Sequence, residues 1–227
     1  MEGTPCYDMR FESGATHLVV GPSASGKTFK TAAIVDQRNK LIVGGDQIQN
    51  VVFCYSVWQP IYTTLKERGV VTKFYNKKPS CDEFAELVQD YKDKGGSIVV
   101  IDDFMGEIDS DLVSIVTVHS RHYNTSTFIL FQSLFPSNRL ARQISLNVKY
   151  LHVFKNPREN AQIMVLARQL YPRDYRWIVE VYHKVTEKPH SCLLIDLTQK
   201  CPDKLRIRSN YLPSEGPMKV WVSKRAS

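Results

Sequence analysis

With 227 residues, 43% of them apolar, the chain has the size of one large domain and enough apolar material for a core. No run of about 18 apolar residues exists, so no membrane span is expected, and Met1 to Arg10 lacks the apolar segment of a secretory signal. A net charge of +7 points towards polyanionic partners, while five scattered cysteines without a C-x-x-C pair support neither a zinc site nor a disulfide framework and suit a reducing, intracellular setting.

The first strand is expected at 17–20, His17-Leu18-Val19-Val20. It runs into Gly21, Pro22, Ser23, Ala24, Ser25, Gly26, Lys27 and Thr28 and then a helix reaching about Arg38. Strand, G-x-x-x-x-G-K-[ST] and helix together form the pattern of a phosphate-binding loop. The glycines let successive N–H groups turn inward, and the helix start adds its positive end. Lys27 would reach the β- and γ-phosphates of ATP, and the Thr28 hydroxyl would ligate Mg²⁺.

Gly44-Gly45 marks a turn before a second strand, 51–55. Pro60 fits the first turn of a helix ending before Gly69, and a third strand is expected over 70–75. Ser80 and Glu83 have capping-box spacing and open a helix closed by Gly95-Gly96. Ser97-Ile98-Val99-Val100-Ile101-Asp102-Asp103 is a continuous apolar strand, expected to be buried on both faces, which delivers two carboxylates at its C-terminal end. Asp102 would hold Mg²⁺ opposite Thr28, and Asp103 would polarise an attacking water. Adjacent side chains on an extended strand point to opposite sides, which favours divided labour between the two acids unless the strand has already turned.

A helix is expected over 109–122 and a strand over 127–131, ending at Gln132, an amide placed to sense the γ-phosphate or orient the water. Further elements are a strand over 149–154, helices over 158–170 and 173–184, and a strand over 191–197. Strands alternating with helices predict an α/β fold with a mostly parallel central sheet flanked by helices, and ligands at the C-terminal strand ends. Residues 1–197 are read as the ATPase domain, and the proline-bearing segment 198–227 as a peripheral tail.

Between Arg121 and Arg176 there are nine Lys/Arg against two acids, Glu159 and Asp174, which marks a candidate phosphate-facing surface. Arg139 and Arg142 are the candidates for an arginine acting on a neighbouring subunit's nucleotide, with Arg121 in reserve. His119 and His122, without a third ligand, do not make a metal site.

The chain resembles the viral genome-packaging ATPases of the FtsK–HerA superfamily, especially those of poxvirus type and of Polinton- and adintovirus-like elements. The resemblance runs from Arg10-Phe11 through 52–60, 101–105, 131–135, 144–150 and 154–158 to 166–172 and 193–197, nearly the whole chain. Its most distinctive part is Ile144-Ser145-Leu146-Asn147-Val148-Lys149-Tyr150. It implies an ASCE, RecA-like P-loop NTPase core and a pentameric or hexameric ring that drives double-stranded DNA into a capsid, with capsid or portal-type proteins as partners. It also implies a catalytic acid at the place of Asp103, where many members have Glu. The shorter side chain leaves Glu107 as a substitute. Two other readings stay open: a small-molecule phosphotransferase, and a non-catalytic DNA- or capsid-binding protein with a vestigial nucleotide site.

Overall fold

The computed structural model describes residues 7–135, 138–158 and 160–223. Cys6 and Glu159 lie outside this set, as do the ends of the lead-in and of the segment read as a tail. One nine-stranded sheet in the order β3-β2-β4-β5-β1-β6-β7-β8-β9 organises the described residues. Its strands are β1 (Thr16–Val20), β2 (Asn50–Tyr55), β3 (Lys73–Tyr75), β4 (Ser97–Asp102), β5 (Thr125–Phe131), β6 (Tyr150–Phe154), β7 (Cys192–Asp196), β8 (Ile207–Ser209) and β9 (Lys219–Trp221). The pairings among β1 to β6 are parallel, and those from β6 through β9 are antiparallel. This is the mostly parallel α/β sheet that the strand–helix alternation predicts.

All six residues of β4 are buried, as an unbroken apolar run requires. Val99 and Ile101 enter one core with Leu18, Val20, Ile129 and Phe131, whereas Ile98 and Val100 enter the other with Val19, Phe128 and Leu130. The second core is closed by α1 (Lys27–Asp36), α2 (Arg38–Leu41) and α3 (Pro60–Glu67). The first is closed by α4 (Cys81–Val88), α5 (Ser110–Ser114), which continues through a π-helical turn, Ile115–His119, into α6 (Ser120–His122), and by α7 (Arg139–Asn147), α8 (Asn160–Leu170) and α9 (Tyr175–Val185). Each fully buried Val or Ile contributes about 1.5–3 kcal/mol. The strand that carries the acids is therefore held firmly, while the segment after it is free to turn.

Ser80 and Glu83 form the capping box that their spacing predicts: Ser80 Oγ accepts from the Glu83 N–H, and Glu83 Oε2 accepts from the Ser80 N–H. The helix α7 has no counterpart in the sequence-based elements. Asn138 caps it through Oδ1, which accepts from the Leu140 N–H at 2.8 Å, and Ala141 and Ile144 bury its apolar face. The strand expected over 70–75 is shorter, Lys73–Tyr75, because it pairs with β2 alone at the sheet edge.

The segment read as a tail adds β8 and β9 to the sheet and enters the core. Tyr211 and Leu212 pack in the α1-side core. Arg208, fully buried, pairs with fully buried Asp196 at 2.7 Å and donates to the Met9 carbonyl at 3.0 Å. Buried Lys30 on α1 forms an ion pair with the partly exposed Glu215 and lies 4.5 Å from the centre of the Tyr211 ring. Strands of only three residues, Ile207–Ser209 and Lys219–Trp221, are too short to show strand periodicity, which is why they are not legible in the sequence.

Candidate nucleotide site

The order β4-β5-β1 places β5 between the strand that feeds the phosphate loop and the strand that ends in Asp102. Three strand ends therefore open onto one cavity of about 450 Å³, lined by Lys27, Thr28, Asp102, Asp103 and Gln132 among others.

At the loop, Gly21 and Gly26 are needed for different reasons. A Cβ on Gly21 would lie 2.6 Å from Phe154 Cβ, so the loop passes β6 too closely for any side chain. Gly26 has φ +101° at the start of α1, a conformation that L side chains rarely adopt. Lys27 Nζ donates to the carbonyls of Gly21 and Pro22, at 2.7 and 2.9 Å, and so bridges the mouth of its own loop. Partial burial lowers its pKa, with Asp102 and Asp103 opposing the shift.

Thr28 Oγ1 donates to Asp102 Oδ2 at 2.7 Å. The same oxygen accepts from the Tyr62 hydroxyl at 2.7 Å and from Gln59 Nε2 at 3.4 Å. Burial raises the Asp102 pKa, and the hydrogen bonds from Tyr62 and Thr28, with the nearby Lys27 charge, hold the shift down. Tyr62 is pushed above its ordinary range, first by burial and then by the Asp102 charge. A hydroxyl and a carboxylate brought together at the cavity wall are the hard oxygen donors that Mg²⁺ takes. Thr28 donates its O–H to Asp102 and keeps its lone pairs for a metal, so the residues present fit the ion. Tyr62 and Gln59 were not among the sequence candidates. Only Pro60, at the start of α3, hinted that a helix stands beside β4.

Asp103 resolves the question of the two acids. The strand ends at Asp102, and Asp103 takes a left-handed conformation, φ +67°. The chain has already turned there, so both carboxylates line the same cavity rather than facing opposite sides. Gln132, leaving β5, donates from Nε2 to Asp103 Oδ1 at 3.3 Å. Glu107 lies in a short 3-10 turn, Met105–Glu107, is exposed, and is not among the residues lining the cavity.

Arg139 and Arg142 are exposed on α7, which packs on the sheet face opposite α1, and neither lines the nucleotide cavity of its own chain. Arg121 is exposed just before β5, at the far end of the sheet from the cavity. Loop 186–191 rests against the other side of the phosphate loop. There His190 Nδ1 donates to the Ser25 carbonyl at 3.3 Å, a contact without any sequence signal.

The described chain is similar in fold to the genome-packaging NTPase B204 of Sulfolobus turreted icosahedral virus 2, solved in complex with ATP-gammaS. The two share 15% identity over 91% of this chain and 96% of that chain, with a TM-score of 0.53. The fold is that of a P-loop NTPase. A second structure, B204 from Sulfolobus Turreted Icosahedral Virus, described as a DNA-packaging ATPase, gives a TM-score of 0.51 at 13% identity over 92% of this chain and 97% of that chain. No family model and no curated protein matches the sequence. Among the described residues no helix is long and apolar enough to cross a membrane.

Proposed function

We propose that this protein is an ATPase that drives double-stranded DNA into a viral capsid. The observation that carries the hydrolase half of this reading is the convergence of Lys27, Thr28, Asp102, Asp103 and Gln132 on one cavity. In that reading Lys27 leaves the Gly21 and Pro22 carbonyls for the β- and γ-phosphates. Thr28 and Asp102 would hold Mg²⁺, which would supply positive charge against the phosphate oxygens. Asp103, turned into the cavity and hydrogen-bonded by Gln132, orients and polarises the attacking water.

The packaging half is supported by the fold shared with proteins described as genome-packaging and DNA-packaging enzymes, together with the resemblance of the segments from 131 to 172. The excess of Arg and Lys between Arg121 and Arg176 suits sequence-independent contacts to DNA phosphates. The working form is a pentameric or hexameric ring at the intracellular site of virion assembly, engaged with capsid or portal-type proteins. The described part of the segment 198–227 adds strands to the sheet of the 1–197 ATPase domain, which supports reading the two as one unit.

The test is steady-state ATP hydrolysis with and without double-stranded DNA. DNA should stimulate turnover, and Lys27→Ala should abolish it. Turnover indifferent to DNA but stimulated by a nucleoside or nucleotide acceptor would make the protein a phosphotransferase. Absence of any turnover would leave a binding protein with a vestigial site.

A further inference from the structure

The phosphate loop has two sides. Gly26, Lys27 and Thr28 line the nucleotide cavity, whereas Ser25 lines a separate cleft of about 280 Å³, walled by residues 186–191 and by Lys155 and Pro157 after β6. Residues 186–191 join α9 to β7, and both of their ends are fixed. Buried Thr186 donates from its N–H and its Oγ1 to the Tyr182 carbonyl, at 2.9 and 2.8 Å. The Ser191 N–H donates to the Lys188 carbonyl at 3.2 Å, just before buried Cys192 enters the sheet. A wall anchored to α9 and β7 in this way can hold a loop that rests on it.

His190 makes the contact. Its Nδ1 lies 3.3 Å from the Ser25 carbonyl oxygen. Its ring lies against Gly26, where an added Cβ would meet Nδ1 at 3.2 Å and Cγ at 3.5 Å. His190 reaches this place from a left-handed backbone, φ +63°, a conformation uncommon for residues other than glycine. A carbonyl oxygen only accepts, so Nδ1 carries the proton of this bond. The peptide between Ser25 and Gly26 links the bond to the nucleotide. No described peptide bond is cis, and in a planar trans peptide the C=O and N–H point in opposite directions. With the Ser25 carbonyl turned to His190, the Gly26 N–H is aimed the other way, towards the cavity that Gly26 lines. Backbone N–H groups of such a loop cradle the α- and β-phosphates.

We propose that His190 is a positioning residue of the nucleotide site: its Nδ1–H holds the Ser25–Gly26 peptide in the orientation that presents the Gly26 N–H to a nucleotide phosphate. The proposal rests on the nucleotide-binding reading of the cavity and adds to it a residue 165 positions from Ser25 in the chain. The contact it orients is one that ADP and ATP share, so His190 governs affinity rather than the rate of bond cleavage.

The experiment measures ADP and ATP-gammaS affinity with Mg²⁺ present, and steady-state ATP hydrolysis, for the full chain and two variants. His190→Gly accepts the left-handed backbone and loses the donor, whereas His190→Asn tolerates that backbone and keeps an N–H donor near the place of Nδ1. His190→Gly is expected to weaken both nucleotides and raise KM by about 3- to 10-fold, the effect of one lost hydrogen bond, with kcat unchanged. His190→Asn should stay within about twofold of the unaltered chain. In mildly alkaline solution the nitrogen NMR shifts of the His190 ring should show a protonated Nδ1. Unchanged affinity in His190→Gly, a fall in kcat at constant KM, equal losses in the two variants, or a ring protonated at Nε2 alone overturns the proposal. Lost affinity in Lys27→Ala beside unchanged affinity in His190→Gly would reject the role of His190 and leave the nucleotide site standing. An unaltered chain that binds neither nucleotide would reject both.

Discussion

Thr28 and Asp102, 74 positions apart, are joined by a 2.7 Å hydrogen bond from hydroxyl to carboxylate. The bond spans the gap left by β5, which lies between β4, ending in Asp102, and β1, which leads into the phosphate loop before Thr28 on α1. It also orients both oxygens before any ligand arrives, so little reorganisation is needed when a nucleotide binds.

Tyr62 holds the same Asp102 oxygen at 2.7 Å. Partners that orient a ligating carboxylate are typically worth 10–100-fold in metal affinity. Tyr62→Phe is therefore expected to raise the Mg²⁺ concentration needed for half-maximal hydrolysis by about that factor. Metal-free nucleotide binding should change little. A Mg²⁺ titration with an unaltered midpoint would remove Tyr62 from the site.

Asp103→Asn should spare nucleotide binding and lower turnover by about 10²-fold or more, the typical contribution of a positioned general base. Gln132→Ala, which removes the 3.3 Å bond to Asp103, should give a smaller loss of the same kind. Single-turnover hydrolysis separates these effects from binding. Full activity in Asp103→Asn together with loss in Glu107→Gln would transfer the role to Glu107.

The buried pair Asp196–Arg208 ties β7 to β8. Removing one partner leaves a buried charge uncompensated, at about 3–5 kcal/mol. Arg208→Met should accordingly lower Tm by roughly 10 °C, whereas Asp196→Leu combined with Arg208→Met should recover much of that loss. Thermal unfolding of the single and double variants tests this. Equal destabilisation in both would mean that the other partners of the two side chains, among them the Met9 and Leu205 carbonyls and Thr198, outweigh the ion pair.

Stability should fall on acidification because of His17 and His152. Burial holds His17 well below the ordinary imidazole range, with His152 and Lys149 adding to the effect. Burial likewise holds His152 down at about 3, with Lys30 adding to it. An imidazole depressed in the folded state takes up its proton only on unfolding. Its stabilising contribution is complete above the unfolded value of about 6.5 and is lost as pH falls from there towards the folded value. The slope is about 1.4 kcal/mol per pH unit for each imidazole. Denaturant unfolding between pH 7 and 5 should show this loss, and His152→Gln should reduce the slope.

The phosphate loop, the buried strand ending in two carboxylates and the Ser80–Glu83 cap were legible because each is local. Periodicity, glycine placement and capping chemistry act within a few residues, so a linear reading captures them. The sequence by itself thus determined the fold class and set Lys27, Thr28 and Asp102 as one candidate site. Only the tertiary structure decided the rest. It turned Asp103 into the cavity through a left-handed backbone, brought Tyr62 and Gln59 to Asp102, and set Gln132 beside Asp103 by inserting β5 between β4 and β1. It placed Arg139 and Arg142 on α7, outside the lining of their own nucleotide cavity, and drew the described part of the segment after 197 into the sheet, with Glu215 on Lys30. These outcomes depend on strand order and on side chains meeting across long stretches of chain. Such meetings are governed by which surfaces can be buried together, and they leave no periodic mark in the sequence.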